Sequence, residues 1–221
     1  MSEEPQASIQ VQRALKPEFL THTKFEDLNL PAKVLSGLND AGFIYCSPIQ
    51  AQTLPVLLTG RDVAGQAQTG TGKTAAFLVT VITRLLSLNG KNNGQPSAII
   101  IAPTRELSRQ IYEEARILAR HTELSLAQIV GGVDYLKQAE ILRRGTDIII
   151  CTPGRIIDYY KQGIFKTEGI KALVIDEADR LLDLGFAKDM RYLLRKLPPY
   201  EKRQSKLFSA TLSNRVMELT Y

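Results

Sequence analysis

The sequence predicts an α/β fold in which a parallel sheet is covered by helices on both faces, and three observations carry that reading. From residue 62 onward, strand-like and helix-like segments alternate in a β-then-α rhythm. Runs such as Ile148-Ile149-Ile150 are apolar without alternation, as strands buried on both faces must be. A glycine-rich stretch and an acidic stretch each follow such a run directly, at the strand end where these sheets bind ligands.

Residues 1–24 are polar and weakly patterned and read as a flexible tail. A helix opens at Leu30-Pro31, with Pro31 suited to a first helical turn, and Gly42 lies beyond its end. Ser47-Pro48 caps a second helix over 49–58, which Gly60 stops. Strand–helix pairs follow: 62–67 with 73–88, 98–102 with 105–120, and 124–130 with 135–143. Three more complete the chain: 147–151 with 155–160, 172–176 with 186–197, and 206–209 with 214–221. The Asn- and Gly-rich stretch 88–97 reads as a surface excursion.

At 221 residues the chain suits one large α/β domain. The net charge of +5 tilts it mildly towards polyanionic partners. Cys46 and Cys151 show no C-x-x-C spacing, which fits a reducing compartment and argues against disulfides or a thiolate zinc site. His22 and His121 lie far apart, so a histidine metal site or a Ser-His-Asp triad is not expected. The start, Met1-Ser2-Glu3-Glu4-Pro5, is no signal peptide, and apolar runs are too short to span a bilayer. A cytoplasmic, monomeric domain with no membrane contact is the expectation.

Ala67-Gln68-Thr69-Gly70-Thr71-Gly72-Lys73-Thr74 has the form of a phosphate-cradling loop. Gly70 and Gly72 let several N–H groups face one anion, Lys73 adds a cation, and Thr74 offers a hydroxyl to Mg²⁺. Ala67 departs from the strict pattern, which begins with Gly. Asp176-Glu177-Ala178-Asp179 closes the apolar run 172–175 and delivers carboxylates to the same edge. Either stretch alone is also an ordinary strand-to-helix turn; the ordered pair reads as a Mg-nucleotide site with a water-activating carboxylate. The Gln50 amide matches the N6/N7 edge of adenine and mismatches guanine.

Pro103-Thr104-Arg105 and Thr152-Pro153-Gly154-Arg155 each join a strand to a helix, offering a threonine near the cap, free N–H groups and an arginine. Gly131-Gly132 exposes backbone N–H groups before a third helix. Together they suggest an anion track for a phosphodiester backbone. No interleaved aromatic platform supports base reading. Ser209-Ala210-Thr211 ends the last strand beside the carboxylates; its hydroxyls suit a bond to Asp179, or a plain helix cap.

These stretches, in this order, resemble the amino-terminal RecA-like domain of DEAD-box ATP-dependent RNA helicases, over residues 25–221. The Q motif is 42–50 with an isolated aromatic at Phe25; the phosphate loop, where the family also uses Ala first, is motif I. The acidic tetrapeptide is motif II and Ser209-Ala210-Thr211 motif III. The wording at 60–67 and 183–186 is similar to bacterial helicases of the RhlB type, which brings an expected partner from RNA-degradation machinery, such as an endoribonuclease.

The resemblance implies ATP and Mg²⁺ as cofactors and RNA as partner. Adenine would be read by Gln50 and stacked on Phe25, with Tyr45 nearby in the Q motif. Lys73 would meet the β/γ oxygens, Thr74 and Asp176 the metal, and Glu177 the attacking water. Asp179, Ser209 and Thr211 would couple nucleotide state to RNA grip. Pro103, Thr104, Arg105, Gly131, Gly132, Thr152, Pro153, Gly154 and Arg155 would hold RNA. A superfamily ATPase acting on DNA and a non-catalytic RNA-binding scaffold are the rival readings. With no second RecA-like lobe after motif III, the expectation is half a helicase whose natural chain continues past Tyr221, slow in ATP hydrolysis and unable to unwind alone.

Overall fold

The computed structural model describes residues 19–88 and 94–219. The tail at 1–18, part of the expected excursion (89–93) and the end of the last expected helix (220–221) lie outside the described residues. Six parallel strands form one sheet: β1 (Val63–Gln66), β2 (Ala98–Ile101), β3 (Leu126–Ile129), β4 (Ile148–Cys151), β5 (Ala172–Ile175) and β6 (Gln204–Ser209). Their order is β1-β6-β5-β2-β4-β3. The α/β expectation, with helices on both faces, holds.

Alternate residues of each central strand feed opposite layers, which explains the non-alternating apolar runs. Ile100, Ile150, Val174 and Phe208 point into the layer formed by α1 (Ala32–Asp40), α2 (Pro48–Leu58), α3 (Lys73–Ser87) and α4 (Arg105–Leu118). Ile99, Ile149, Leu173 and Leu207 point into the other. That second layer holds α5 (Tyr135–Arg144), α6 (Pro153–Lys161), α7 (Ala178–Asp183), α8 (Ala187–Leu194) and α9 (Asn214–Met217). Both thiols are buried and free, and burial pushes Cys46 up to about 11.

Three expectations change. The tail was expected to reach residue 24, yet Thr21 and Cys46 already share a backbone bond of 2.8 Å, as do Cys46 and Thr23. Residues 21–25 pair with 44–46, closed by the antiparallel Lys24–Tyr45 bridge, before a 3-10 helix at Phe25–Leu28. The single helix expected at 186–197 is shorter, ending at Leu194 before Pro198-Pro199, and a further helix, α7, precedes it. Gly185, at φ +88°, makes the break between them. The helix after β4 begins at Pro153 rather than at 155, since proline suits a first turn.

One polar group in the core has a measurable consequence. Lys206 is fully buried in β6, its Nζ donating to Gln204 Oε1 at 2.9 Å. Gln204 Nε2 in turn donates to the Leu57 and Arg61 carbonyls at 2.8 Å each, tying β6 to the end of α2. Burial pushes Lys206 from 10.5 down to about 7, helped by the like charge of Arg84 and opposed by Asp62. Between these two values the unfolded chain carries a proton that the folded chain has released, so this group's contribution to stability rises with pH across the window. Urea unfolding at both ends of that window is expected to show the parent gaining on a Lys206→Met variant as pH rises. A constant gap between them would contradict the burial argument.

Candidate nucleotide and RNA site

All six strands are parallel, so the loops that follow them gather on one edge. Read across the sheet, these are the phosphate loop (β1), Ser209-Ala210-Thr211 (β6), Asp176-Glu177 (β5), Pro103-Thr104 (β2), Thr152-Pro153 (β4) and Gly131-Gly132 (β3). The residues expected at the nucleotide therefore fill one half of the edge and those expected in the anion track the other.

In the phosphate loop, Gly70 and Gly72 adopt φ of +80° and +89°, which only glycine takes at no steric cost. Gln68 and Thr69 are exposed at its tip, and the Thr71 hydroxyl donates to the Gln68 carbonyl at 2.9 Å. Lys73 opens α3, and its Nζ lies 2.8 Å from Asp176 Oδ1 with both side chains buried. Asp176 Oδ1 also accepts the Glu177 N–H at 2.9 Å, whereas buried Oδ2 has no partner. Burial pushes the Asp176 carboxyl up, and Lys73 pulls against it.

Glu177 sits at φ +49°, ψ +54°, a left-handed conformation uncommon for a residue with a Cβ. This turn points its carboxylate into a cleft of about 270 Å³ shared with Thr69, Lys73 and Asp179. Arg180 Nη1 donates to Glu177 Oε2 at 3.4 Å. Asp179 meets motif III twice: its N–H donates to Ser209 Oγ at 3.0 Å, and its Oδ2 accepts from the Thr211 N–H at 3.2 Å. Burial pushes the Asp179 carboxyl up, but donors at Arg180, Ser209 and Thr211 outweigh that and hold it below its usual range.

The adenine-reading residues sit differently from expectation. Gln50 is fully buried, its Oε1 accepting the Ser47 N–H at 2.8 Å and its Nε2 donating to the Gly72 carbonyl at 2.9 Å. A Cβ at Gly72 would lie 2.6 Å from that Nε2, so the glycine admits the amide. Ser47 Oγ donates to the Thr71 carbonyl at 2.7 Å, a second tie to the loop. Phe25 is 1% exposed with its ring edge-on to Phe43, so it presents no open face for stacking. Apolar packing has claimed that ring, while neighbouring Tyr45 is 39% exposed.

On the other half of the edge, Thr104 Oγ1 accepts the Leu107 N–H at 3.2 Å and caps α4. Thr152, the corresponding residue of α6, makes no cap bond, and Pro153 behind it is buried. Nothing stands within 4 Å of a Cβ built at Gly154. Arg105 lies over the Gly131-Gly132 turn: a Cβ at Gly132 would come 2.0 Å from its Nη1. The glycine pair is thus the seat of the guanidinium as well as a source of N–H groups. Arg155, expected to project, folds back over Tyr135 and Tyr159, 5.0 and 5.7 Å from their centroids. Its Nη1 donates to the Val133 carbonyl at 3.3 Å.

Ser47 and Arg180 were not among the expected site residues. A cap three residues before Gln50 and a cation three after Glu177 were the available signals. The buried pair at Lys73 gives a test without nucleotide. Lys73→Ala strands an ionised carboxylate and is expected to cost about 3–5 kcal/mol of folding stability. Adding Asp176→Asn should recover much of it. Urea unfolding measures both, and an undisturbed midpoint in Lys73→Ala would refute the pairing.

Comparison with known proteins identifies the family. A family model described as DEAD/DEAH box helicase matches residues 47–219. The chain is 57% identical over 202 residues to an ATP-dependent RNA helicase RhlB of Pseudoalteromonas atlantica, covering 91% of this chain and 48% of that protein. It is 52% identical over 205 residues to one of Shewanella sediminis, covering 91% and 47%. It is 53% identical over 210 residues to one of Vibrio parahaemolyticus, covering 94% and 48%. The chain spans about half the length of the curated relatives it matches. With a matching family model over most of its length and these relatives, the chain belongs to the DEAD/DEAH box helicase family.

Proposed function

We propose that this chain is the ATP-binding half of an ATP-dependent RNA helicase, binding Mg-ATP at the β1/β5/β6 end of the sheet edge and an RNA backbone at the β2/β4/β3 end. The buried Lys73–Asp176 pair between loop and acidic strand end is the observation that carries it. A non-catalytic scaffold would have little reason to keep two costly buried charges beside an unpartnered oxygen.

The residues suit the implied metal. Asp176 Oδ2 is an unsatisfied buried acceptor, and Thr74 stands in the first turn of α3. Among the described residues no group of three or more His, Cys, Asp or Glu could hold an ion. That agrees with Mg²⁺, which takes one or two protein carboxylates and completes its shell with phosphates and water. When bound, the ion would neutralise charge on the β and γ oxygens. Lys73 would leave Asp176 for those oxygens, and loop N–H groups from 70 to 74 would cradle them. Glu177 would orient the attacking water and take its proton, its aim set by the left-handed backbone and Arg180. Asp179 would report the nucleotide's presence to β6 through Ser209 and Thr211.

On the RNA half, Arg105 on its glycine seat, the Thr152 hydroxyl that makes no cap bond, and the N-termini of α4 and α6 would grip phosphates and 2′-hydroxyls, preferring RNA to DNA. Arg155 would contribute the face it does not turn to the tyrosines. The proposed setting is bacterial RNA turnover in the cytoplasm beside a degradative endoribonuclease, supported by likeness to bacterial relatives. Among the described residues no helix is long and apolar enough to cross a membrane.

Two experiments test the reading. Gln50 keeps one N–H and one lone pair beyond its present bonds, the pair adenine would use. Gln50→Ala is expected to erode an ATP-over-GTP preference by about 1–3 kcal/mol in titration calorimetry, and to lower the nucleotide-free melting temperature because the loop loses its brace. Equal affinity of the parent for ATP and GTP would overturn the adenine assignment. Glu177→Gln, in a chain extended to the full length of its relatives, should bind ATP and RNA yet lose RNA-stimulated hydrolysis. Hydrolysis at the parental rate would place the base elsewhere.

A further inference from the structure

Helix α6 starts on the ligand edge at Pro153 and ends at Lys161 on the opposite edge, where it meets α8. There Tyr192 lies beneath two ammonium groups, Lys161 Nζ at 5.1 Å and Lys196 Nζ at 5.6 Å from its ring centroid. Tyr192 packs edge-on against Tyr160, and Tyr160 against Phe165, which places exposed Lys166 beside the same cluster. The Thr167 hydroxyl donates to the Lys196 carbonyl and joins the two segments. Lys161, Lys166 and Lys196 are exposed, and no ion pair among the described residues includes them.

Cations gathered round an aromatic cluster without carboxylate partners repel one another, and a phosphate chain is the ligand that relieves this while its bases meet ring surface. The distance fits. Nine residues of α6 span about 13 Å at 1.5 Å per residue. That is at most about four nucleotides, the stacked duplex rise of 3.4 Å per strand being the compact limit for a single strand. An RNA gripped at Thr152 and Gly154 therefore reaches Lys161 by running along one short helix.

We propose that the Lys161–Tyr192–Lys196 cluster is a second RNA-backbone contact, engaged by strands that extend past the motif track along α6. The inference rests on the RNA reading above, and the test separates the two. Fluorescence anisotropy with oligouridylates of graded length, on this chain, should show affinity stepping up within about four nucleotides beyond the track's minimum. Lys161→Met plus Lys196→Met keeps apolar stems over Tyr192 and removes the charges. It should abolish the step and lower the log–log salt slope for long strands by about 1.4, at roughly 0.7 per phosphate of a single strand. Short-strand affinity and the melting temperature should stay at parental values. Arg105→Ala should weaken strands of every length. If the step and slope survive in the double variant while Arg105→Ala weakens binding, the lysines only cover the aromatic cluster and this inference alone falls. If the parent binds no strand of any length, both readings fall.

Discussion

The ion pair between Lys73 and Asp176 is the contact on which the ligand edge depends. Lys73 belongs to the loop after β1 and Asp176 to the end of β5, with β6 lying between those strands. Two buried charges cost several kcal/mol to desolvate unless each meets its opposite in good geometry. The pair thus fixes how the phosphate loop sits over the sheet. Gln50 and Ser47 fix the same loop from the other side, through the Gly72 and Thr71 carbonyls. Between a charged anchor beneath and two neutral ties beside it, the loop holds its shape before any anion arrives.

A second consequence of the pair is that nucleotide binding, as proposed above, would be an exchange. Any cation that Asp176 is to receive must displace an ammonium already tethered 2.8 Å away, and that ammonium must find phosphate oxygens in return. The carboxylate of Glu177 is held apart from this exchange by a backbone turn that its own Cβ disfavours. Asp179, in the first turn of α7, is tied to β6 by hydrogen bonds to Ser209 and Thr211.

Much of this was legible in the residues, where chemistry leaves few choices. Gly70 and Gly72 were readable because positive φ demands them, and Asp176 because a carboxylate closing a buried strand has few structural uses. The fold followed from apolar runs too continuous for a half-exposed strand. Partnerships between distant segments were hidden. Nothing local says that the Gln50 amide braces Gly72, that Gly132 makes room for Arg105, or that Arg155 folds onto both Tyr135 and Tyr159. The run at 186–197 shows the other kind of miss. The helix was expected to run up to Leu197, directly before Pro198 and Pro199, but it ends at Leu194, and the break from α7, at Gly185, lay just outside the expected run.

The strand order places nucleotide loops on β1, β6 and β5 and anion loops on β2, β4 and β3, in one sheet sealed by a close-packed layer on each face. At about 4.8 Å per strand the edge is roughly 24 Å wide. A core packed this densely does not stretch or hinge in response to a ligand. On the reading proposed above the domain would be a jig: it would keep a triphosphate and a polynucleotide at a set separation and orientation, and any force between them would come from a second body moving against it. What a nucleotide can change here is only which surface features the jig shows to that body.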